Sequence, residues 1–445
     1  MSLNFRVPLA TAAGILIGAS VSLTSGVLAD KSTASENLPL KDLQTFVEIL
    51  NRVKSDYVEP VDDETLLENA VRGMLGGLDP HSAYLDKDEF RDMNIATTGK
   101  FGGLGIEVQM QDGFVRVVAP IDDTPAAKAG ILSGDLIVKI DETPVKGLTL
   151  SDAVSKMRGE PGTSIKLTLI RDGEAAPKVV EIERDIIKVA SVRSRMLAPH
   201  MGYLRISSFT TETEPTLLRE FDKLQKDGPL DGLVLDLRNN PGGVLDAAVK
   251  VSDNFLDRGA IVTIKGREAA AQRQFSASGG DLLKGKPIVV LINGGSASAS
   301  EIVAGALQDQ KRAVLLGSRS FGKGSVQTIL PLSNEGAIKI TTARYYTPAG
   351  RSIQAEGIDP DITVRPLPVT KKDDGESSGF DPITEADLAN SLANENGDAE
   401  HKDEIAKKRE EQEKEAKASR ELAENDYVLY EALNVLRGLV IVQNR

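Results

Sequence analysis

The chain of 445 residues contains no cysteine. Disulfide staples, a thiolate nucleophile and a lipid-bearing cysteine are therefore excluded together. Histidine is scarce as well: His81, His200 and His401 are the only three, and none lies near a serine motif or at HExxH spacing. A zinc peptidase is set aside on that ground, and no metal or cofactor motif replaces it. His81, within LDPHSAYL, reads as a loop or helix-end residue, and His401 sits in a charged tail. Aromatics make up only 4% of the chain and alternate with no run of Lys or Arg, while 66 acidic residues outweigh 53 basic ones. A net charge of −13 without basic patches argues against a nucleic-acid partner.

What is present begins with an address. Arg6 precedes the apolar stretch Val7 to Leu28, which ends in small residues at Ala29. This predicts a signal peptide over 1–29, cut after Ala29, with an uncleaved membrane anchor as the competing reading. In a bacterium either places the remainder in the periplasm or on the outer face of the inner membrane, and only an uncleaved segment would touch the membrane.

The rest divides by composition. Residues 30–96 form a helical region, with Leu40, Leu43, Phe46, Val47, Leu50, Val53 and Tyr57 on one face. A second stripe follows from Asp63 to Leu78. Either stripe suits core packing or the pairing of two subunits. Residues 97–187 turn to short strands and glycine turns, and 188–368 to strands at 201–206, 232–237, 288–292, 313–316 and 337–345 with helices between, an α/β pattern. Residues 369–424 are charged and poor in hydrophobes, which predicts a linker that is largely disordered or a solvated helix. The segment 425–445 regains an apolar periodicity that predicts a docking or dimer helix.

The most informative stretch is 287–330. A buried strand, Pro287 to Ile292, breaks at Asn293-Gly294-Gly295, and a helix starts where Ser296, Ser298 and Ser300 crowd the turn. Ser298 followed by Glu301 is also an ordinary capping box, which needs no catalytic role. Downstream, Gly322-Lys323-Gly324 holds a lysine between two glycines, useful where a lysine must approach another backbone closely.

The SASASE run, the FGKG loop from Phe321, and Gln327 beyond it resemble the C-terminal processing peptidases, or tail-specific proteases, in which Lys323 would stand 25 residues beyond Ser298. The resemblance implies that Ser298 is the nucleophile, Lys323 its base and Gln327 the residue that orients the lysine. The chemistry is coherent: a serine needs a neighbouring base, a lysine serves only when neutral, and burial makes it so. Gln327 accepts a hydrogen bond without adding a charge that would oppose this. An oxyanion hole requires backbone donors, expected from Ala299 and from the turn in LRNNPGG, where Gly243 is favoured over Gly242.

Residues 101–108, FGGLGIEV, followed by AGILSGDLIVKI, resemble a PDZ domain. The glycines let amides turn inward to hold a terminal carboxylate, so Gly103, Leu104, Gly105 and Ile106 are the expected peptide-binding residues, with the peptide adding as a strand. Arg158 either couples this module to the protease or faces solvent. The resemblance further implies a crotonase-like core with the PDZ domain inserted before it. The expected activity is a secreted endopeptidase that recognises apolar C-termini of protein substrates and cleaves upstream, with peptide binding switching the site on. An adaptor protein and self-association through the terminal helices remain open.

Two motifs compete weakly. GSRSFGKG at 317–324 lacks the hydroxyl after its lysine that a P-loop needs, and Ser320-Phe321-Gly322-Lys323 with Ser252-Asp253-Asn254 mimics penicillin-recognising enzymes in the wrong order and without K-T-G. The alternative of another class is a non-catalytic PDZ scaffold that binds protein C-termini in the envelope.

Overall fold

The computed structural model describes residues 39–365 and 417–445, together with Lys414, apart from 122, 175 and 269–271. The expected signal segment and most of the charged linker lie outside the described residues. Among the described residues no helix is long and apolar enough to cross a membrane.

The chain separates into two compact units, divided after Met74. In the first, the helix Leu40–Asp56 is amphipathic as expected, but none of its residues is buried. Leu40, Leu43, Phe46, Val47 and Val53 are all exposed, so its apolar stripe is not core within this chain. A second helix, Asp63–Gly76, begins in this unit with Asp63 and Glu64 at its positive N-terminal end.

The second unit is mixed α/β. Its main sheet runs in the spatial order Val192–Ala198, Met201–Ile206, Gly232–Asp236, Ile288–Ile292, Val314–Gly317, Ile362–Thr363. The first pair is antiparallel and every later pair is parallel. All five residues of Gly232–Asp236 and all five of Ile288–Ile292 are buried, the pattern of parallel strands covered on both faces. One face packs on the helices Thr213–Leu224, Leu245–Asp253 and Ala299–Asp309 through Leu217, Val251 and Val303. Beyond that helix layer lies a second, antiparallel sheet of Ala83–Leu85, Ser325–Pro331, Ala337–Tyr346, Ala260–Gly266 and Arg273–Ser276, which sends Ile261, Val262 and Tyr345 into the same core.

The other face of the main sheet is covered by the C-terminal helix Tyr427–Gln443, which buries Val428, Leu429, Ala432 and Leu436 against Val234, Val289 and Leu316. Its apolar periodicity is therefore spent on docking to this chain's own sheet. The contact is close enough that a Cβ on Gly232 would lie 2.7 Å from Leu436.

The glycine-rich strand module expected over 97–187 has its own core, centred on Val115, Val117, Ile137, Leu167 and Leu169. Its sheet runs Ile106–Gln111, Phe114–Pro120, Leu136–Ile140, Ser164–Ile170, Lys178–Glu183, which leaves Ile106–Gln111 at an edge. The strand entering the domain, Lys100–Gly103, pairs antiparallel with the strand leaving it, Asp185–Lys188. The two ends of this segment are thereby held together where they join the rest of the second unit.

Candidate active site

Two turns meet at the carboxyl ends of neighbouring parallel strands, where open α/β sheets place their crevices. The strand Gly232–Asp236 runs into Arg238-Asn239-Asn240-Pro241-Gly242-Gly243, and Ile288–Ile292 runs into Asn293 to Ser298. Both turns bend sharply, with Asn239 at φ 55° and Ser298 at φ 55°, ψ −110°. A non-glycine residue in that region is strained, costing roughly 1–3 kcal/mol, and persists only where its surroundings fix it.

The surroundings do so through the neighbouring serines. Ser296 Oγ donates to the Leu237 carbonyl at 2.8 Å, and Ser300 Oγ donates to the Asn240 carbonyl at 2.9 Å. The Ala297 amide donates to the same Asn240 carbonyl at 2.9 Å. Two of the three serines are thus committed to stitching the turns together, and the middle one is not. The Ser298 hydroxyl faces Tyr345, whose phenol is pushed up to about 12 by burial, the serine pulling the other way. A phenol that stays protonated cannot act as the base for this serine.

Glu301 holds the site together. It is fully buried, and its carboxylate accepts four hydrogen bonds. Oε1 takes Ser320 Oγ at 2.6 Å and the Gly322 amide at 2.7 Å, while Oε2 takes the Ser298 amide at 2.7 Å and the Lys323 amide at 2.9 Å. The backbones of Ser298 and Lys323 therefore converge on one oxygen atom. The sequence reading saw Glu301 only as a helix cap. The Ser298 half of that cap exists, but the Lys323 half could not be seen from local spacing.

The lysine loop packs on the segment 353–357. The Gly324 amide donates to Gln354 Oε1 at 3.0 Å, and a Cβ on Gly324 would lie 2.3 Å from the Gln354 amide nitrogen. Only glycine fits this approach. Burial holds the Lys323 ammonium below the usual lysine range, assisted by Lys339 and opposed by Glu301 and Asp79. Among the described residues no hydrogen bond joins Lys323 Nζ to Ser298 Oγ or to Gln327. Gln327 Nε2 instead donates to Ser325 Oγ at 3.0 Å and Thr341 Oγ1 at 3.1 Å. His81 lies close enough to Lys323 for the lysine's charge to lower its pKa, after burial as the larger cause.

The turn also separates Gly242 from Gly243. The Gly242 amide is committed to Asn240 Oδ1 at 2.9 Å. The Gly243 and Ala299 amides donate to no acceptor among the described residues. Gly242 itself lies against the turn that carries Ser298, where a Cβ would meet Ser298 Cβ at 2.8 Å and the Ala299 amide at 2.9 Å.

In the separate strand module, Gly103, Leu104, Gly105 and Ile106 line a groove of about 130 Å3 beside the free edge of Ile106–Gln111. The Leu104 and Gly105 carbonyls are used by the Ala126 and Ile121 amides, at 2.9 and 2.8 Å. Arg158 lines the same groove rather than facing solvent. It donates to Asp92 at 2.8 Å and its guanidinium lies 5.2 Å from the centre of the Phe101 ring.

The model of peptidase family S41 matches residues 200–364, that of the PDZ domain 102–182, and that of the activating protease CtpB N-terminal domain 14–89. The carboxy-terminal-processing protease of Bartonella bacilliformis is 52% identical over 360 residues, covering 80% of this chain and 82% of that protein. The carboxy-terminal processing protease CtpA of Bacillus subtilis is 35% identical over 346 residues, covering 76% and 72%. Among solved structures, a photosystem II D1 C-terminal processing protease is 33% identical, covering 74% of this chain and 89% of that one at a TM-score of 0.43.

Proposed function

The chain belongs to the C-terminal processing peptidases of family S41, serine-type enzymes that act on the C-terminal regions of proteins, and on that premise we propose that Ser298 and Lys323 form its catalytic dyad. The observation that carries this reading is the shared Oε2 of Glu301, which draws a strained serine and a half-buried lysine into one site. Ser296 and Ser300 are occupied elsewhere, so Ser298 is the serine left to react.

In the proposed reaction Ser298 Oγ attacks the carbonyl carbon of the scissile peptide while neutral Lys323 takes the hydroxyl proton. The carbonyl oxygen becomes an oxyanion, received by the amides of Ala299 and Gly243 in preference to Gly242, whose amide already donates to Asn240 Oδ1. Lys323 then returns the proton to the leaving amine as the C–N bond breaks, and water releases the acyl-enzyme by the same steps in reverse. The Lys323 to Ser298 contact closes in the substrate complex, where catalytic hydrogen bonds commonly tighten. Gln327 orients the lysine.

Substrates are proteins whose apolar C-terminal residues add as a strand along Ile106–Gln111, with the terminal carboxylate at Gly103 to Ile106. Export by the N-terminal segment places the enzyme in the periplasm. Ser298→Ala tests the assignment. The purified variant is expected to bind but not cleave an unstructured protein with an apolar tail, and retained cleavage overturns it.

A further inference from the structure

The short segment between the helix Asp63–Gly76 and the strand Ala83–Leu85 forms a hydrogen-bonded chain that ends on Gln327. Asp79 is its root. Its Oδ2 accepts Ser82 Oγ at 2.6 Å, and its Oδ1 accepts Thr341 Oγ1 at 3.1 Å together with the amides of His81 at 2.8 Å and Ser82 at 3.1 Å. Ser82 Oγ in turn accepts the Thr341 amide at 3.1 Å. Pairing of Ala83–Leu85 with Ala337–Tyr346 fixes the register, Ala83 opposite Lys339, and so brings this segment beside Thr341. Gln327 Nε2 completes the chain by donating to Thr341 Oγ1.

The direction of every proton follows from the root. Hydrogen bonding, from Ser82 first and against the effect of burial, holds Asp79 below the usual carboxylate range, so it is ionised at working pH and can only accept. Thr341 has one hydroxyl proton and spends it on Asp79. Toward Gln327 its oxygen can therefore only accept, which requires the nitrogen end of the Gln327 amide. With the second Nε2 proton on Ser325 Oγ, the carbonyl end Oε1 is what remains to accept from a lysine amine.

We propose that Asp79 is a positioning residue for the base: through the Thr341 hydroxyl it fixes which end of the Gln327 amide is offered to Lys323. Its negative charge also favours the Lys323 ammonium. The proposal rests on the reading of Lys323 as base. The charged groups around Lys323 are Lys339 on the facing strand, Glu301 on the nucleophile helix, and Asp79 and His81 on this segment. His81 is itself held below the ordinary imidazole range, by burial first and then by Lys323.

The test is the pH dependence of kcat and KM for the full chain, on a fluorescently labelled unstructured protein ending in an apolar tail. The wild type is expected to gain activity with rising pH as Lys323 loses its proton. In Asp79→Asn the negative charge that favours the ammonium is gone, so this limb moves to lower pH, and kcat falls about tenfold or more because an asparagine can reverse the polarity of the chain. Thr341→Val should lose a similar factor without moving the limb, Thr341→Ser should restore it, and KM should hold throughout. An unshifted limb in Asp79→Asn, or Thr341→Ser no better than Thr341→Val, overturns the proposal, since a purely structural role predicts that result. The threonine pair keeps the test decisive should Asp79→Asn not fold. A flat wild-type profile, or an active Lys323→Met, sinks the assignment of the base instead.

Discussion

Asn239 and Asn293 hold each other from opposite turns: the Asn239 amide donates to Asn293 Oδ1 at 2.9 Å, and Asn293 Nδ2 returns a bond to Asn239 Oδ1 at 2.9 Å. Asn293 Oδ1 also receives the Gly295 amide at 3.0 Å. This reciprocal pair sets the spacing between the turn that carries Gly243 and the turn that carries Ser298. Asn293→Ala removes the cross-bonds and, within its own turn, the bond from the Gly295 amide. Small displacements at a reacting centre are costly, so kcat is expected to fall by about tenfold to a hundredfold with KM nearly unchanged. Steady-state kinetics showing equal kcat would remove the pair from the mechanism.

Glu301→Gln tests the junction of the serine turn and the lysine loop. The carboxylate presents two acceptor oxygens to four donors. A glutamine must turn an NH2 group toward two of those donors in a fully buried site. Leaving buried donors unsatisfied predicts a loss of about 3 kcal/mol, read as a lower urea midpoint at unchanged slope, together with a large loss of kcat. A wild-type midpoint would show that the four contacts carry little.

The parts of this site that lie close along the chain were readable from it, and the parts assembled across it were not. Ser298 and Lys323 stand out because the strand, the crowded serines and the flanking glycines are local features. The buried strands Gly232–Asp236 and Ile288–Ile292 announce themselves by unbroken apolar runs. Glu301 looked like a cap because three of its four donors, Ser320, Gly322 and Lys323, arrive from a loop that only the fold brings near. Asp79 and Thr341 meet across more than two hundred and fifty residues, a contact no periodicity encodes. The two apolar stripes at the chain ends looked alike, yet the C-terminal one is buried on the sheet and the N-terminal one is exposed. Amphipathicity says that a face wants cover but not what covers it.

Lys323→Met should abolish turnover, by about a thousandfold or more, while stabilising the fold. Burial lowers the lysine's pKa from 10.5 in the folded protein, so between that lowered value and 10.5 the unfolded chain binds the extra proton. The charged lysine therefore destabilises the fold at neutral pH, and the penalty fades as pH rises toward 10.5. Thermal melts should show the Met variant above wild type at pH 7, with the gap closing above pH 10. A lower melting temperature at pH 7 would mean that Lys323 is not desolvated.

Gly105→Ala addresses the PDZ groove without touching Ser298 or Lys323. Gly105 has φ +77°, and a Cβ there would lie 2.4 Å from Thr124 Cβ, so the loop must move. The affinity for a peptide with an apolar C-terminus should weaken at least about tenfold, roughly 1.4 kcal/mol, by calorimetry. Amidating the peptide's carboxylate should cost wild type much and this variant little. Equal affinity of wild type and variant would place peptide capture elsewhere.

Asp426→Ala asks whether the C-terminal helix supports the turn from Asn239 to Gly243. Asp426 caps that helix through the Leu429 amide at 3.0 Å and accepts both terminal nitrogens of Arg238, at 2.9 and 2.7 Å. Arg238 opens the Asn239 to Gly243 turn and also donates to Asp236, a fully buried carboxylate that takes Tyr203 Oη at 2.8 Å as well. Removing Asp426 leaves Arg238 with one carboxylate instead of two and frees the helix cap, at a cost of about 2 kcal/mol once partial exposure is allowed for. Despite the opposing effect of burial, Arg238 holds the Asp426 carboxyl below the usual range. Its contribution is therefore present above pH 3.8 and lost as pH falls through the lower folded value. Chemical denaturation at pH 7 and below pH 3.8 should show a large gap between wild type and variant that narrows in acid. If helix docking also braces the turn, kcat at pH 7 falls in the variant while the affinity for tail peptides is unchanged; a destabilised variant with full kcat would confine the helix to holding the sheet.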